Sequence, residues 1–492
     1  MKTDVVVTTR DGDVVGATDA AGILSFKGIP YAAPPIGALR FQPPAPHEAW
    51  AEPRQATGYG PTSPQGDGEG PVAEILPNVI IPGDDYLNLN VWTPATDGAL
   101  PVMVFIHGGA FTGGSGAVPA YDGTAFARDG VVLVTINYRL GADGFLWFGD
   151  GVPNLGMLDQ VAALEWVRDN IAAFGGNPAQ VTIFGESAGA MSVCTLIAMP
   201  RAKGLFHHAV AESGAGVSVI SPESAKLIGT RVAAILGVEP TREAIAAVPM
   251  QRLLAAATQV GGEVGKSPKR KLWGDVAQNL MPYEPVVDGD ILPSRPIDAI
   301  RAGAAADIDV MIGTNTEEAR LFTVPTGVGA KAGGIVPYII ALGYKASPLK
   351  AVRTYQRNRP GATPGDVAAA VMTDWYYRIP AIRLAEAKPG THMYDFAWRS
   401  PAFDGQLGAC HGLEIAFVFD VLGDPEFHEM TGGTAPQGLA DAMHKAWVDF
   451  AKTGNPGWPA YETTERKTMR FDTTSAVTTD DRADERALWP KR

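Results

Sequence analysis

Cysteine is almost missing from this chain: Cys194 and Cys410 are the only two in 492 residues. So few cannot build the disulfide framework of a small secreted scaffold, and a reducing compartment is the default. Basic residues are outnumbered, with 40 Lys and Arg against 53 Asp and Glu and a formal charge of −13. That balance excludes nucleic acid and anionic membrane surfaces as expected partners, because both are gripped through Lys and Arg. No apolar run approaches the roughly 20 residues of a membrane span. Residues 1–7 (MKTDVVV) have no charged stretch followed by a long apolar one. No secretory signal is therefore expected, and the cytoplasm is the expected location, although a processed mature chain would lack such a signal too. Charge is sparse, 19% against 46% hydrophobic, so the chain can bury a large core.

Alternating patterns fill the middle of the chain. Residues 101–106 (PVMVFI) and 131–136 (VVLVTI) are continuously apolar, as strands covered on both faces must be. Residues 161–174 place Val161, Leu164, Val167, Ile171 and Phe174 at three- and four-residue spacing, which predicts an amphipathic helix. Residues 309–313, 393–398 and 468–471 read as later strands, and 4–18 and 23–28 as an antiparallel amino-terminal edge. This order predicts an α/β architecture with a large, mostly parallel central sheet flanked by helices. Three stretches interrupt it, at about 58–83, 261–281 and 323–348. Long insertions of this kind serve as lids and pocket walls or as plain surface loops. No internal repeat or low-complexity linker divides the chain, so one catalytic domain over 1–492 is expected.

Glycine, by contrast, is abundant, at 57 residues. One cluster of it carries chemistry. Residues 181–184 (VTIF) form a short apolar run that leads into Gly185-Glu186-Ser187-Ala188-Gly189, and a helix-compatible stretch follows. By composition alone a G-x-S-x-G match is weak evidence, but strand, sharp turn and helix together are what a nucleophile elbow requires. The turn strains the serine backbone, and the glycines leave room for neighbouring chain.

A serine nucleophile needs a base, and the base needs an acid to orient it. In the α/β-hydrolase order, serine precedes acid and acid precedes histidine. Of eight histidines, His47 and His107 come too early, and His207 and His208 leave little room for an acid between. His392, His428 and His444 have plain readings at a strand start, in a polar loop and in a helix. His411 follows a loop leaving the 393–398 strand, on the side where open α/β sheets keep their sites. The strand 309–313 runs into Thr314-Asn315-Thr316-Glu317-Glu318, and position alone leaves Glu317 and Glu318 equal, one of them a solvated loop carboxylate. Strand 101–106 ends in His107-Gly108-Gly109-Ala110-Phe111, which suits an oxyanion hole. Its donors would be the N–H groups of Gly109 and Ala110, joined by that of Ala188, with His107 bracing the loop.

These motifs resemble those of the type-B carboxylesterase family, the group of bacterial para-nitrobenzyl esterases and cholinesterases. Residues 174–189 match its serine signature, and 84–92 (DDYLNLNVW) look like its second one. In that second signature Tyr86 stands where many members carry a disulfide cysteine. The resemblance continues through 26–44, 154–160, 285–289 and 447–456, nearly the whole chain. It implies an α/β-hydrolase fold and selects Glu318 as the acid, with Ala319 in place of the family's usual glycine. It also places the family's histidine on His411.

The implied enzyme is a serine carboxylesterase acting through an acyl-serine, with Ser187, His411 and Glu318 as its triad. It would need no metal and no organic cofactor. Its partners would be a small-molecule ester and water, with neither nucleic acid nor membrane, and the chain would act as a monomer. Phe111, Trp147 and Phe148 are candidates to line an apolar substrate gorge suited to aryl or short-to-medium-chain alkyl esters. An amidase or carbamate hydrolase could use the same triad. An adhesion-type member would have lost the serine, which is present here.

Overall fold

A computed structural model describes residues 4–489 apart from 67, 69, 77 and 345. Residues 1–3, part of the stretch read for a signal, lie outside the described residues, as do those four positions within the first and third insertions. The chain forms two compact units. Described residues of 1–68, 78–210 and 216–308 make the first, and those of 69–77, 211–215 and 309–492 the second.

The strands are β1 (Asp4–Thr9), β2 (Gly12–Thr18), β3 (Leu24–Pro30), β4 (Arg54–Gln55), β5 (Asn88–Thr93), β6 (Leu100–Ile106), β7 (Val132–Ile136), β8 (Gly176–Glu186), β9 (His208–Glu212), β10 (Asp309–Asn315), β11 (His392–Phe396), β12 (Lys467–Phe471) and β13 (Ala476–Thr479). In the first unit they pair in the order β1-β2-β3-β5-β7-β6-β8. The pairs at the amino-terminal side are antiparallel, whereas β7, β6 and β8 run parallel. In the second unit β10, β11 and β12 are parallel, and β13 closes antiparallel on β12. The apolar runs at 101–106, 181–184 and 309–313, and all but the first residue of 131–136, lie in strands whose side chains are largely buried.

β5 is the strand that its own side chains conceal. The run NLNVWT alternates polar and apolar, as a half-exposed strand would, yet all six residues are buried. Hydrogen bonds make that tolerable. Asn90 accepts from the Gly28 N–H at 2.9 Å and donates to Thr135 Oγ1 at 2.9 Å. Asn88 donates to the carbonyls of Pro61 and Asp85, both at 2.8 Å. Buried amides with partners cost little, and they fix the strand's register.

The helix expected over 161–174 starts earlier, at Leu155, and runs to Asn170 before a 3₁₀ turn over Ile171–Phe174. Its start is set by Asn154, whose side chain donates to the Val286 carbonyl at 2.9 Å and accepts the Val286 N–H at 2.7 Å. The stretch 261–281 is more regular than expected, because 261–266 complete the helix Met250–Lys266. That helix buries Leu253, Ala256, Ala257, Val260 and Val264 along one face. Gly261, Gly262 and Gly265 meet nothing within 4 Å of an added Cβ, so they weaken the helix signal without touching the core. The third insertion holds a short helix, Val336–Gly343. No described helix is long and apolar enough to cross a membrane.

One ion pair at the heart of the first unit is wholly dry. Arg139, just past β7, and Asp159 on the helix Leu155–Asn170 are both fully buried. The guanidinium meets the carboxylate twice, at 2.6 and 2.8 Å, and donates once more to the Gln42 carbonyl at 2.7 Å. Removing one partner strands the other charge in the core. Arg139→Met is therefore expected to cost about 3–5 kcal/mol in denaturant unfolding, while Arg139→Met with Asp159→Leu recovers much of it. A single variant as stable as the wild type would contradict this.

Candidate active site

Ser187 sits where β8 stops and the helix Ala188–Ala198 begins. Its backbone has φ +57° and ψ −121°, a conformation costly for a residue with a side chain. The approach of neighbouring chain explains both flanking glycines. A Cβ on Gly189 would lie 1.9 Å from the Ile106 carbonyl oxygen, and one on Gly185 would lie 2.5 Å from it. Strand, turn and helix are thus pressed onto the end of β6. Every residue of the helix behind Ser187 is buried, so the elbow rests on a packed base while Ser187 itself keeps some exposure.

The loop after β6 lies against this elbow. A Cβ on Gly108 would come within 3.2 Å of Ser187 Cβ. Gly109, Ala110 and Phe111 follow with φ of +104°, +54° and +60°, which turns the loop back on itself. Thr112 and Gly113 donate their N–H groups to the Gly109 carbonyl at 2.9 and 3.0 Å. Among the described residues, no group accepts a hydrogen bond from the N–H of Gly109, Ala110 or Ala188. Those donors are open to a developing negative charge.

His107 braces the loop as expected. Its ring stacks on Tyr138 with centroids 4.5 Å apart, and the Tyr138 hydroxyl donates to the His107 carbonyl at 2.9 Å. Burial lowers its pKa to about 4, so it stays neutral at neutral pH. A second brace escaped the sequence reading and comes from the 58–83 stretch. Gln65 accepts the Gly114 N–H and donates to the Gly114 carbonyl, both at 2.9 Å. At least this part of the insertion is scaffold.

The second unit holds the other candidates. His411 Nδ1 lies 2.7 Å from Glu318 Oε2, with the imidazole nearly buried and the carboxylate wholly so. The other Glu318 oxygen accepts the Asn315 N–H at 2.8 Å. Glu317 points elsewhere, to Arg320 at 2.9 Å and to Arg399. It is not the solvated loop carboxylate that its position suggests, because two guanidiniums hold it and only 18% of its side chain is exposed. Phe322 and Tyr377 flank the imidazole at centroid distances of 5.5 and 4.7 Å. Phe322 lies four residues past Glu318, one helical turn, a spacing the sequence does display. Tyr377 lies in a π-helical turn, Asp374–Arg378, and no local pattern announces it.

The aromatics expected to line a gorge divide. Phe111 is fully buried against Phe145, at 5.0 Å between rings, so its ring fills core. Trp147 and Phe148 are half-buried and pack toward the helix Pro222–Leu236: Lys226 Nζ sits 5.8 Å from the Trp147 ring, and a Cβ on Gly229 would lie 2.8 Å from Phe148. Both cysteines are free and buried. Burial pushes the Cys194 thiol up to about 12, and burial with Glu414 and Glu318 nearby raises the Cys410 thiol well above its ordinary value. Neither is a nucleophile.

A second buried carboxylate completes this cluster. Glu414 accepts from Ser213 Oγ at 3.1 Å and from Asn315 Nδ2, whose other hydrogen goes to the Cys410 carbonyl at 2.7 Å. Burial, then the charge of Glu318, raises its pKa to about 7. Raised above its unfolded value of about 4.3, it favours folding most when protonated, and that contribution is lost as pH climbs through 7. Glu414→Gln does not titrate, so its melting temperature relative to wild type should be higher at pH 8 than at pH 5. A gap independent of pH, or one of opposite trend, would contradict this.

Comparison with known proteins gives the family. The family model described as "Carboxylesterase family" matches residues 3–489. The para-nitrobenzyl esterase of Bacillus subtilis (strain 168) is 37% identical over 512 aligned positions, spanning 100% of this chain and 99% of that protein. The phenmedipham hydrolase of Pseudarthrobacter oxydans is 34% identical, with 94% of each chain covered. A crystal structure of a Geobacillus stearothermophilus carboxylesterase at pH 6.2 matches with a TM-score of 0.86 and 38% identity, over 99% of this chain and 100% of that one. The α/β-hydrolase fold follows from that likeness, and the chain belongs to the carboxylesterase family, as a hydrolase of carboxylic esters.

Proposed function

We propose that Ser187 is the nucleophile of this esterase, His411 its base and Glu318 the acid that orients the base. The observation that carries the reading is the dry hydrogen bond between His411 Nδ1 and Glu318, 2.7 Å long. It fixes the tautomer in which Nδ1 carries the proton and Nε2 the lone pair that a base uses. The strained, glycine-flanked backbone at Ser187 supports the nucleophile, since that conformation is kept only where surrounding structure enforces it.

The reaction follows from these groups. His411 takes the proton of Ser187, and the serine oxygen attacks the ester carbonyl. The oxyanion accepts hydrogen bonds from the N–H groups of Gly109, Ala110 and Ala188. His411 then gives its proton to the leaving alcohol, and an acyl-serine remains. Water deprotonated by the same imidazole attacks the acyl carbon, and the carboxylic acid leaves. Glu318 holds the imidazole's orientation and steadies the imidazolium in both halves.

For substrate, the reading favours aryl and short-to-medium-chain alkyl esters, supported by the aromatic walls that Phe322 and Tyr377 set beside His411. The name of the relative from B. subtilis, a para-nitrobenzyl esterase, points the same way. Two buried reduced thiols suit a cytoplasmic location.

Ser187→Ala should fold normally by circular dichroism and lose turnover of a nitrophenyl ester on the scale of about 10⁶, as triad serines do. Glu318→Gln should lower kcat by about 10⁴, because a neutral amide favours the wrong imidazole tautomer. A folded Ser187→Ala enzyme with near-normal activity would overturn the assignment.

A further inference from the structure

Two loops of the second unit carry the proposed acid and base, and Glu317 joins them. Its N–H donates to the Ala409 carbonyl at 3.0 Å, and its carboxylate accepts the Ala409 N–H at 3.1 Å. Glu318 and His411 are also linked through backbone, His411 N–H to Glu318 carbonyl at 3.2 Å. The outer side of the Glu317 carboxylate is held by Arg320 and Arg399. Those guanidiniums reach on to the histidine loop itself, Arg320 to the Gln406 carbonyl at 2.6 Å and Arg399 to the Gly405 carbonyl at 3.3 Å. Gly408 fits beneath: it has φ +63°, and a Cβ there would lie 2.3 Å from Glu317 Oε2. The sequence thus keeps glycine where a side chain would both strain the turn and displace the carboxylate.

This stretch needs such a clasp. Residues 397–414 contain no helix or strand, only a single bridge between Ser400 and Gly408, so no continuous ladder holds His411 in place. The imidazole–carboxylate bond fixes the ring against Glu318 but not the backbone that carries the ring. Displacement of about 1 Å in a catalytic group can cost about 10²-fold in rate. We propose that Glu317 is a positioning residue for ester hydrolysis, clasping 405–411 to 316–318 so that His411 stays aligned with Glu318. The proposal rests on the triad reading above. The two arginines keep the clasp aimed, and charge-assisted hydrogen bonds of this kind are about twice as strong as neutral ones.

The test compares Glu317→Ala, Glu317→Gln and Gly408→Ala, with His411→Ala alongside. Active serines are counted by the nitrophenol released from a stoichiometric nitrophenyl organophosphate, and turnover is expressed per titrated site. Glu317→Ala should lose about 10²-fold in kcat per site with KM little changed, and its kcat/KM should rise over a pH range displaced from that of the wild type. Glu317→Gln keeps an acceptor oxygen for the Ala409 N–H and should recover part of the loss. Gly408→Ala, which pushes the carboxylate off its seat, should resemble Glu317→Ala. A role in stability alone would reduce the number of titrated sites and leave turnover per site and the pH range at wild-type values. That result in the two alanine variants, beside an inactive His411→Ala, would overturn the clasp and leave the triad standing. Activity retained by His411→Ala would overturn the triad and the clasp with it. Should Glu317→Ala fail to fold, Gly408→Ala and Glu317→Gln decide on the same readouts.

Discussion

Ser187 holds φ +57° against its own steric preference, and the first unit is built so that it cannot relax. Its strand is locked into the sheet beside β6, and its helix is buried along its whole length. Between them, Gly185 and Gly189 bring the turn into contact with the Ile106 carbonyl, closer than any Cβ would permit. Gly108 brings the neighbouring loop in by the same means. Ser187 and the loop of Gly109 and Ala110 are thereby set side by side by backbone packing, with Tyr138 and Gln65 bracing the loop, as the proposed nucleophile and oxyanion donors require. Preorganisation of this kind costs nothing at the moment of reaction, because the structure has already met the strain during folding.

The second unit solves a different problem, which is charge without water. Glu318 and Glu414 are both fully buried, and Asn315 serves each of them, through its backbone N–H and its side-chain amide respectively. Two like charges in one dry cluster repel, so one carboxylate should hold its proton. Burial and the neighbouring Glu318 raise the pKa of Glu414, while Glu318 is the carboxylate bonded to His411. Arginines are kept for Glu317, on the outer side of the same loop. Adjacent carboxylates thus have opposite settings: one dry and bonded to an imidazole, one clamped by guanidiniums.

Much of this was legible in the sequence because it is local. Continuous apolar runs announced β6, β7, β8 and β10, and the strand–turn–helix setting marked Ser187. The pairing of Glu318 with His411 needed resemblance to resolve it, since the two glutamates are neighbours and only three-dimensional packing sends them to different partners. β5 was obscured by Asn88 and Asn90, most of whose partners lie far along the chain. The helix Met250–Lys266 was masked by exposed glycines that its buried face outweighs. Gln65, Tyr377 and the second role of Glu317 left no trace, because each acts across 34 to 92 residues of chain, through hydrogen bonds or ring contact that no periodicity encodes.

The account requires one covalent intermediate on one atom. Turnover of a para-nitrophenyl ester, quenched with acid within the first cycle and digested, should yield a peptide containing Ser187 heavier by the acyl group, with fragment ions placing it on that serine. Acylation of a different residue, or rapid turnover with no acylated peptide at any quench time, would contradict it.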